Sequence, residues 1–140
     1  DPLTGLPNRR AFVQRLDQEL SRSQRTNQPL ALVLLDIDNF KALNDKRGHQ
    51  TGDEALIHLV KVAKEELRIT DHIARMGGEE FIVLLPYTTP DQAVVVAEKL
   101  RHALRAHPLI EERMPLWKDP CWSPRCSPRS RWGLPSSAHI

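Results

Sequence analysis

The sequence predicts one α/β domain, a two-layer sandwich of the palm type with a central, mainly antiparallel sheet. The first observation is an unbroken apolar run over residues 30–35, which is typical of a strand covered on both faces. The second is a pair of strand-like runs, residues 72–76 and 81–85, joined through Gly77 and Gly78. Such a pair indicates a hairpin with the glycines as its turn. Helical periodicity fills the intervals, so we expect helices over one face of the sheet.

Each predicted helix has its own start or stop signal. Asn8 is a candidate N-cap for the first helix, whose apolar periodicity fades over residues 24–28. Gly48 stops a short second helix, and residues 49–53 indicate a polar loop. Pro90 occupies a favourable first position for the last helix. The four predicted helices begin near residues 9, 39, 54 and 90.

Composition limits the function classes. At 140 residues the chain has room for one domain with a real core, and it contains no run of about 20 apolar residues that could cross a membrane. Residues 1–114 carry 16 basic against 17 acidic side chains, which argues against nucleic-acid binding. We expect a cytoplasmic protein, either free or as the cytoplasmic part of a membrane-anchored sensor. A chain without an initial Met is expected to be a piece of a longer one.

The C-terminal segment differs from the rest of the chain. Residues 115–140 contain five of the 11 prolines, all three tryptophans and both cysteines, without apolar periodicity. Such a composition predicts a poorly structured tail, and two neighbouring cysteines imply no disulfide framework. We therefore divide the chain into a domain over residues 1–114 and a Pro/Trp/Arg-rich tail over residues 115–140.

Four carboxylates mark the candidate site. Asp36 and Asp38 stand at alternate positions at the end of a predicted strand and should project to the same face, whereas Glu79 and Glu80 follow the glycine pair. Carboxylates that can bind a divalent cation, beside glycines that admit phosphate, indicate nucleotide chemistry. The alternative is an ordinary hairpin with solvated glutamates, and Asp38 as a helix cap.

Six sequence blocks carry a recognisable pattern, over residues 1–10, 36–41, 44–45, 48–49, 52–53 and 75–81. In this order and at this spacing they resemble a GGDEF domain in its GGEEF variant. The resemblance covers residues 1–107 and implies a nucleotide-cyclase-like fold. It also implies a diguanylate cyclase, which condenses two GTP molecules into cyclic di-GMP and releases pyrophosphate. We expect dependence on Mg²⁺, with Mn²⁺ as a substitute, an antiparallel homodimer, and an upstream sensor or regulatory domain in bacterial second-messenger signalling.

The resemblance implies a role for each matching residue of the catalytic centre. Asp36 and Glu79 match metal-binding carboxylates, and the carbonyl of Ile37 matches a backbone metal ligand. Glu80 matches a residue that assists metal binding or deprotonates the 3′-hydroxyl. Lys41 would offset charge that develops on the phosphates.

The resemblance also implies a guanine pocket. Asn44 and Asp53 match the pair that reads guanine, and an amide with a carboxylate can satisfy the donor and acceptor edge of that base. His49 has the alternative of fixing a loop turn. The remaining residues predicted to contact the nucleotide are Phe40, His49, Gly77 and Gly78.

The resemblance further implies an allosteric site at which cyclic di-GMP inhibits its own synthesis, because Arg68 and Asp71 match the Arg-x-x-Asp pattern that many members of the family carry there. Arginine can recognise guanine and phosphate through paired hydrogen bonds. The alternative is an ordinary surface salt bridge of little energetic value. Lys99 stands where many members have a secondary arginine, and a lysine there loses paired hydrogen bonding.

The resemblance stops after residue 107, because the strand and helix motifs with which the family continues are absent. We therefore expect an atypical or missing C-terminal part of the fold. Two other functions stay open. One is a catalytically impaired GGDEF domain that binds GTP or cyclic di-GMP as a regulatory module. The other is a palm-fold cyclase or polymerase that acts on a different nucleotide.

Overall fold

The structure is a computed structural model that describes residues 1–106. Within them the order of elements is the one predicted, helix, strand, helix, helix, hairpin, helix. The tail over residues 115–140, and with it the proposed domain boundary, lies outside the described residues. The elements are α1 (Arg9–Thr26), β1 (Leu30–Asp36), α2 (Phe40–Arg47), α3 (His49–Glu66), β2 (His72–Gly77), β3 (Glu80–Pro86) and α4 (Pro90–Ala106).

The three described strands form an antiparallel sheet in the order β1-β3-β2, which confirms the α/β class. The central strand is β3, in which every residue except Glu80 is buried. The prediction that β1 is covered on both faces holds only in part. Leu30 and Leu32, on the α1 side, are partly buried against the cluster that contains Phe12. Burial alternates along β1, and Leu34 is 44% exposed. An apolar run reveals high hydrophobicity, but it does not reveal the position of a strand within its sheet.

Helices pack on both faces of the sheet, whereas the sequence predicted helices over one. The larger core joins one face, including Val33 and Val83, to α3 and α4. Phe12 of α1 instead packs against Ile82 and Leu84, whose side chains alternate with those of the larger core and point the other way. The sheet is therefore held between α1 and the pair formed by α3 and α4.

The predicted helix signals are confirmed with one exception. Asn8 caps α1, because its side-chain oxygen accepts a hydrogen bond from the backbone N–H of Ala11 at 3.0 Å. Pro90 opens α4 as expected. The polar loop predicted over residues 49–53 is wrong, since these residues form the first turns of α3. Gly48 alone separates the two helices, and its φ of 89° makes the sharp change of direction that a loop would otherwise supply.

Candidate functional site

The hairpin turn lies one residue later than the glycine pair suggested. Gly77 ends β2 and pairs with Glu80, so the turn consists of Gly78 and Glu79. An irregularity in the pairing between Arg75 and Gly77 produces this shift. Gly78 has a φ of 40°, in the left-handed region that glycine adopts without a steric penalty. Both glycines are exposed, which leaves the backbone of the turn open to a ligand.

Arg75 fixes this turn to the beginning of the chain. Its Nε and Nη2 donate to the carbonyl oxygen of Gly78 at 3.0 and 2.8 Å. Its Nη1 donates to the carboxylate of Asp1 at 3.2 Å, and both side chains are only 17% exposed. The sequence blocks contained both residues, but no role was predicted for either. One guanidinium therefore holds the turn and the lead-in segment together.

Asp36, at the end of β1, stands opposite Glu80, at the beginning of β3. They are direct cross-strand partners in the register of β1 and β3, and their side chains lie on the α1 side of the sheet because Ile82 and Leu84 do. Two like charges at directly opposite positions destabilise a sheet. A divalent cation removes that repulsion, and carboxylate oxygens are the ligands that Mg²⁺ prefers. The pair therefore fits the expected metal.

The other predicted metal ligands are close in sequence to this pair, but they do not complete a coordination site with it among residues 1–106. The Ile37 side chain is 4% exposed and belongs to the larger core. Asp38 lies in the turn after β1, so strand alternation does not apply to it. Glu79 is half-buried in the hairpin turn. Residues 1–106 contain no group of three or more His, Cys, Asp or Glu side chains that could hold an ion.

Asn44 and Gly52 form a close contact between α2 and α3. The Oδ1 atom of Asn44 is buried and accepts no hydrogen bond within the described part of the chain. A Cβ added to Gly52 would lie 1.8 Å from that oxygen and 3.2 Å from Cζ of Phe40. A buried acceptor without a donor carries a free-energy penalty, and such atoms are natural partners for a ligand. The structure thus brings together Phe40, Asn44 and Gly52, the last of which was not predicted as a site residue.

The remaining predicted nucleotide contacts are exposed on the same two helices. Asp53 follows Gly52 in α3, His49 is the first residue of α3, and Lys41 lies in the first turn of α2. All three side chains are accessible from solvent.

The residues of the predicted inhibitory site contact each other. Nε and Nη2 of Arg68 donate to the two carboxylate oxygens of Asp71 at 3.3 and 3.0 Å, and the Arg68 backbone N–H donates to the same carboxylate at 2.9 Å. Burial, followed by the Arg15 guanidinium, lowers the pKa of the adjacent His72. That imidazole is therefore mainly neutral at pH 7 and adds little positive charge beside Asp71. Lys99 forms an ion pair with Glu66 at 3.3 Å.

Comparison with known proteins decides the family. The family model described as the diguanylate cyclase, GGDEF domain, matches residues 1–114. The chain belongs to the GGDEF family. None of the helices of this GGDEF domain within residues 1–106 is long and apolar enough to cross a membrane.

Relatives and solved structures agree with this assignment. The GGDEF domain is 47% identical over 116 residues to the diguanylate cyclase DgcP of Pseudomonas aeruginosa, an alignment that covers 83% of this chain and 17% of DgcP. It is 45% identical to diguanylate cyclase SiaD of the same species, solved in complex with its activator SiaC. That match has a TM-score of 0.75 and covers 79% of this chain and 42% of the SiaD chain.

A third match was solved with a nucleotide. The GGDEF domain of DgcB from Caulobacter crescentus, in complex with cyclic di-GMP, is 32% identical with a TM-score of 0.75. That match covers 82% of this chain and 65% of the DgcB chain. This GGDEF domain thus spans less than two thirds of the length of each of the three proteins.

Proposed function

We propose that this GGDEF domain is a diguanylate cyclase that condenses two GTP molecules into cyclic di-GMP, depends on Mg²⁺ or Mn²⁺, and works as a homodimer in the cytoplasm. The observation that carries the proposal is the cross-strand pair of Asp36 and Glu80 beside an open glycine turn. Two carboxylates placed opposite each other make sense where a cation and phosphates are bound. We further propose that a sensor or regulatory domain controls the cyclase.

The chemistry assigns a task to each group. The 3′-hydroxyl oxygen of each GTP attacks the α-phosphorus of the other, and pyrophosphate leaves with the electron pair of the broken P–O bond. Glu80 accepts the hydroxyl proton, and Lys41 offsets charge on the phosphates. Asp36, Glu79, Glu80 and the Ile37 carbonyl would hold the metal, which would supply charge neutralisation and lower the pKa of the attacking hydroxyl.

Base selection is assigned to the junction of α2 and α3. The buried Oδ1 of Asn44 is an acceptor without a donor among the described residues, and the N–H groups of guanine can supply one. Asp53 accepts from the same edge of the base, while Phe40 and His49 border the pocket and Gly77 and Gly78 admit the phosphates. Adenine lacks this donor pattern, so the pocket should prefer GTP to ATP.

Incubation of the purified chain with GTP and Mg²⁺ tests the proposal, with cyclic di-GMP detected by mass and pyrophosphate by a coupled assay. Parallel incubations use Mn²⁺, ATP in place of GTP, and EDTA. We expect cyclic di-GMP with either metal, and none with ATP or EDTA. A folded protein that binds GTP without forming product would instead support the regulatory-module function.

The position of Arg68 and Asp71 side by side just after α3 supports a second function, inhibition of the cyclase by cyclic di-GMP at an allosteric site. Replacing Arg68 with Ala should raise the concentration of cyclic di-GMP that halves pyrophosphate release by at least about tenfold, because a charged hydrogen-bond donor is lost. The measurement is a dose–response curve at fixed GTP. Lys61→Ala, which removes an exposed cation from the middle of α3, is the control. Equal inhibition of all three proteins would reduce Arg68 and Asp71 to a surface salt bridge.

A further inference from the structure

Arg68 has a second attachment, to the connection between β3 and α4. Its Nη2 donates to the Thr88 hydroxyl at 2.9 Å and to the Pro86 carbonyl oxygen at 3.3 Å. Thr88 is only 2% exposed, its hydroxyl donates to the Pro86 carbonyl at 3.0 Å, and its backbone N–H donates to the Pro29 carbonyl at 3.1 Å. The hydroxyl therefore presents its lone pair to Arg68 from a fixed position.

These contacts use most of the donors of the guanidinium. Of its five N–H groups, the Nε hydrogen and one Nη2 hydrogen face Asp71, and the other Nη2 hydrogen faces Thr88 and Pro86. Among contacts with residues 1–106, Nη1 is the one nitrogen of the guanidinium that is left for a ligand. The Asp71 side chain is itself 2% exposed and accepts three hydrogen bonds from Arg68. In this arrangement Arg68 cannot donate two parallel hydrogen bonds to a ligand from two different nitrogens. The Asp71 carboxylate, in turn, is not available to accept from a guanine.

We infer that Thr88 is a positioning residue that holds Arg68 against Asp71 and so lowers the affinity of the inhibitory site for a guanine ligand. This inference rests on the proposed allosteric function of Arg68 and Asp71. It adds the residue that sets the concentration of cyclic di-GMP at which the site is filled. A ligand that takes the outer edge of Arg68 must first break the contact with Thr88. The free energy of that hydrogen bond is then subtracted from the free energy of binding.

The test is calorimetric titration of the whole chain with cyclic di-GMP. Thr88→Val keeps the side-chain shape and removes the hydroxyl, and we expect it to bind about 5- to 10-fold more tightly, because a hydrogen bond to a charged group is lost from the competing arrangement while the Pro86 carbonyl remains. Thr88→Ser keeps the hydroxyl and should bind like the original chain. Basal pyrophosphate release from GTP should be the same in all three proteins.

Two further measurements separate this inference from the function on which it rests. Arg68→Ala should bind cyclic di-GMP at least about tenfold more weakly; wild-type binding by this variant would overturn the allosteric site itself. If Arg68→Ala binds weakly but Thr88→Val binds no more tightly than the original chain, only the role of Thr88 is overturned. Thr88→Ala, which removes the hydroxyl without adding a methyl group, replaces Thr88→Val if that variant unfolds. Because calorimetry does not need turnover, the test also works on a chain that forms no product.

Discussion

Replacing Glu80 with Gln should reduce cyclase turnover at least about a hundredfold, the usual scale of a lost general base, and should stabilise the fold when no divalent cation is present. The stabilisation follows from the register, because Glu80 stands directly opposite Asp36, and removing one of two opposed like charges removes their mutual repulsion whatever other contacts Asp36 makes. We expect the free energy of unfolding in EDTA to rise by about 0.5 kcal/mol. Turnover is measured as cyclic di-GMP formed from GTP, and stability by urea titration in EDTA and in Mg²⁺.

Glu79→Gln is the matched control for this prediction. Glu79 lies in the hairpin turn and has no cross-strand partner in the sheet register. The Glu79→Gln variant should lose turnover like Glu80→Gln, since Glu79 is a proposed metal ligand. Its free energy of unfolding in EDTA, however, should stay near that of the wild-type chain. Full activity in either variant would remove that residue from the catalytic centre. Equal stability of the two variants in EDTA would mean that the opposed charges do not repel measurably.

Replacing Gly52 with Ala should weaken GTP binding by about 10- to 100-fold. Alanine normally stabilises a helix interior relative to glycine by about 1 kcal/mol. Here the new methyl group would lie 1.8 Å from Oδ1 of Asn44, so the amide must leave the position that we assign to guanine recognition. Affinity is measured by calorimetry with GTP, and helix content by circular dichroism.

Two controls distinguish displacement of Asn44 from general damage to α3. Gln50→Ala, at an exposed position in the first turn of α3, should leave GTP affinity unchanged. The double variant Asn44→Ala with Gly52→Ala should bind no more weakly than Asn44→Ala alone, because the clash and the amide are then both absent. Wild-type affinity in Gly52→Ala would show that GTP is not read by the Asn44 amide.

Local signals in the sequence were sufficient for the elements and for much of the site. The Asn8 cap, the stop at Gly48 and the start at Pro90 each depend on chemistry within a few residues, and all three are confirmed. The hairpin was also predicted from glycine content and flanking apolar runs. The helix that carries Asn44 and the strand end that carries Asp36 could thus be placed before any tertiary contact was known, whereas Asp53 was assigned to a loop that is the start of α3.

The predictions that were wrong, and the roles that were not predicted, depend on contacts between residues far apart in the sequence. The run over residues 30–35 could not show that β3, rather than β1, lies in the middle of the three strands within residues 1–106. The first turns of α3, residues 49–53, are polar and lack the apolar stripe by which a helix is recognised. The roles of Gly52 and Thr88 depend on side chains from other elements, Asn44 in the first case and Arg68 in the second.

The hydrogen bonds that Arg75 makes to the Asp1 carboxylate and to the Gly78 carbonyl have a consequence for protein engineering. Positions 1 and 75 are 74 residues apart in sequence, yet they support one turn of the candidate catalytic centre. A fusion partner or linker joined ahead of this domain has to leave Asp1 and the segment after it in place. A sensor graft that cuts the chain only a few residues too late would remove a support of the active-site turn, even though every residue proposed to touch GTP is retained.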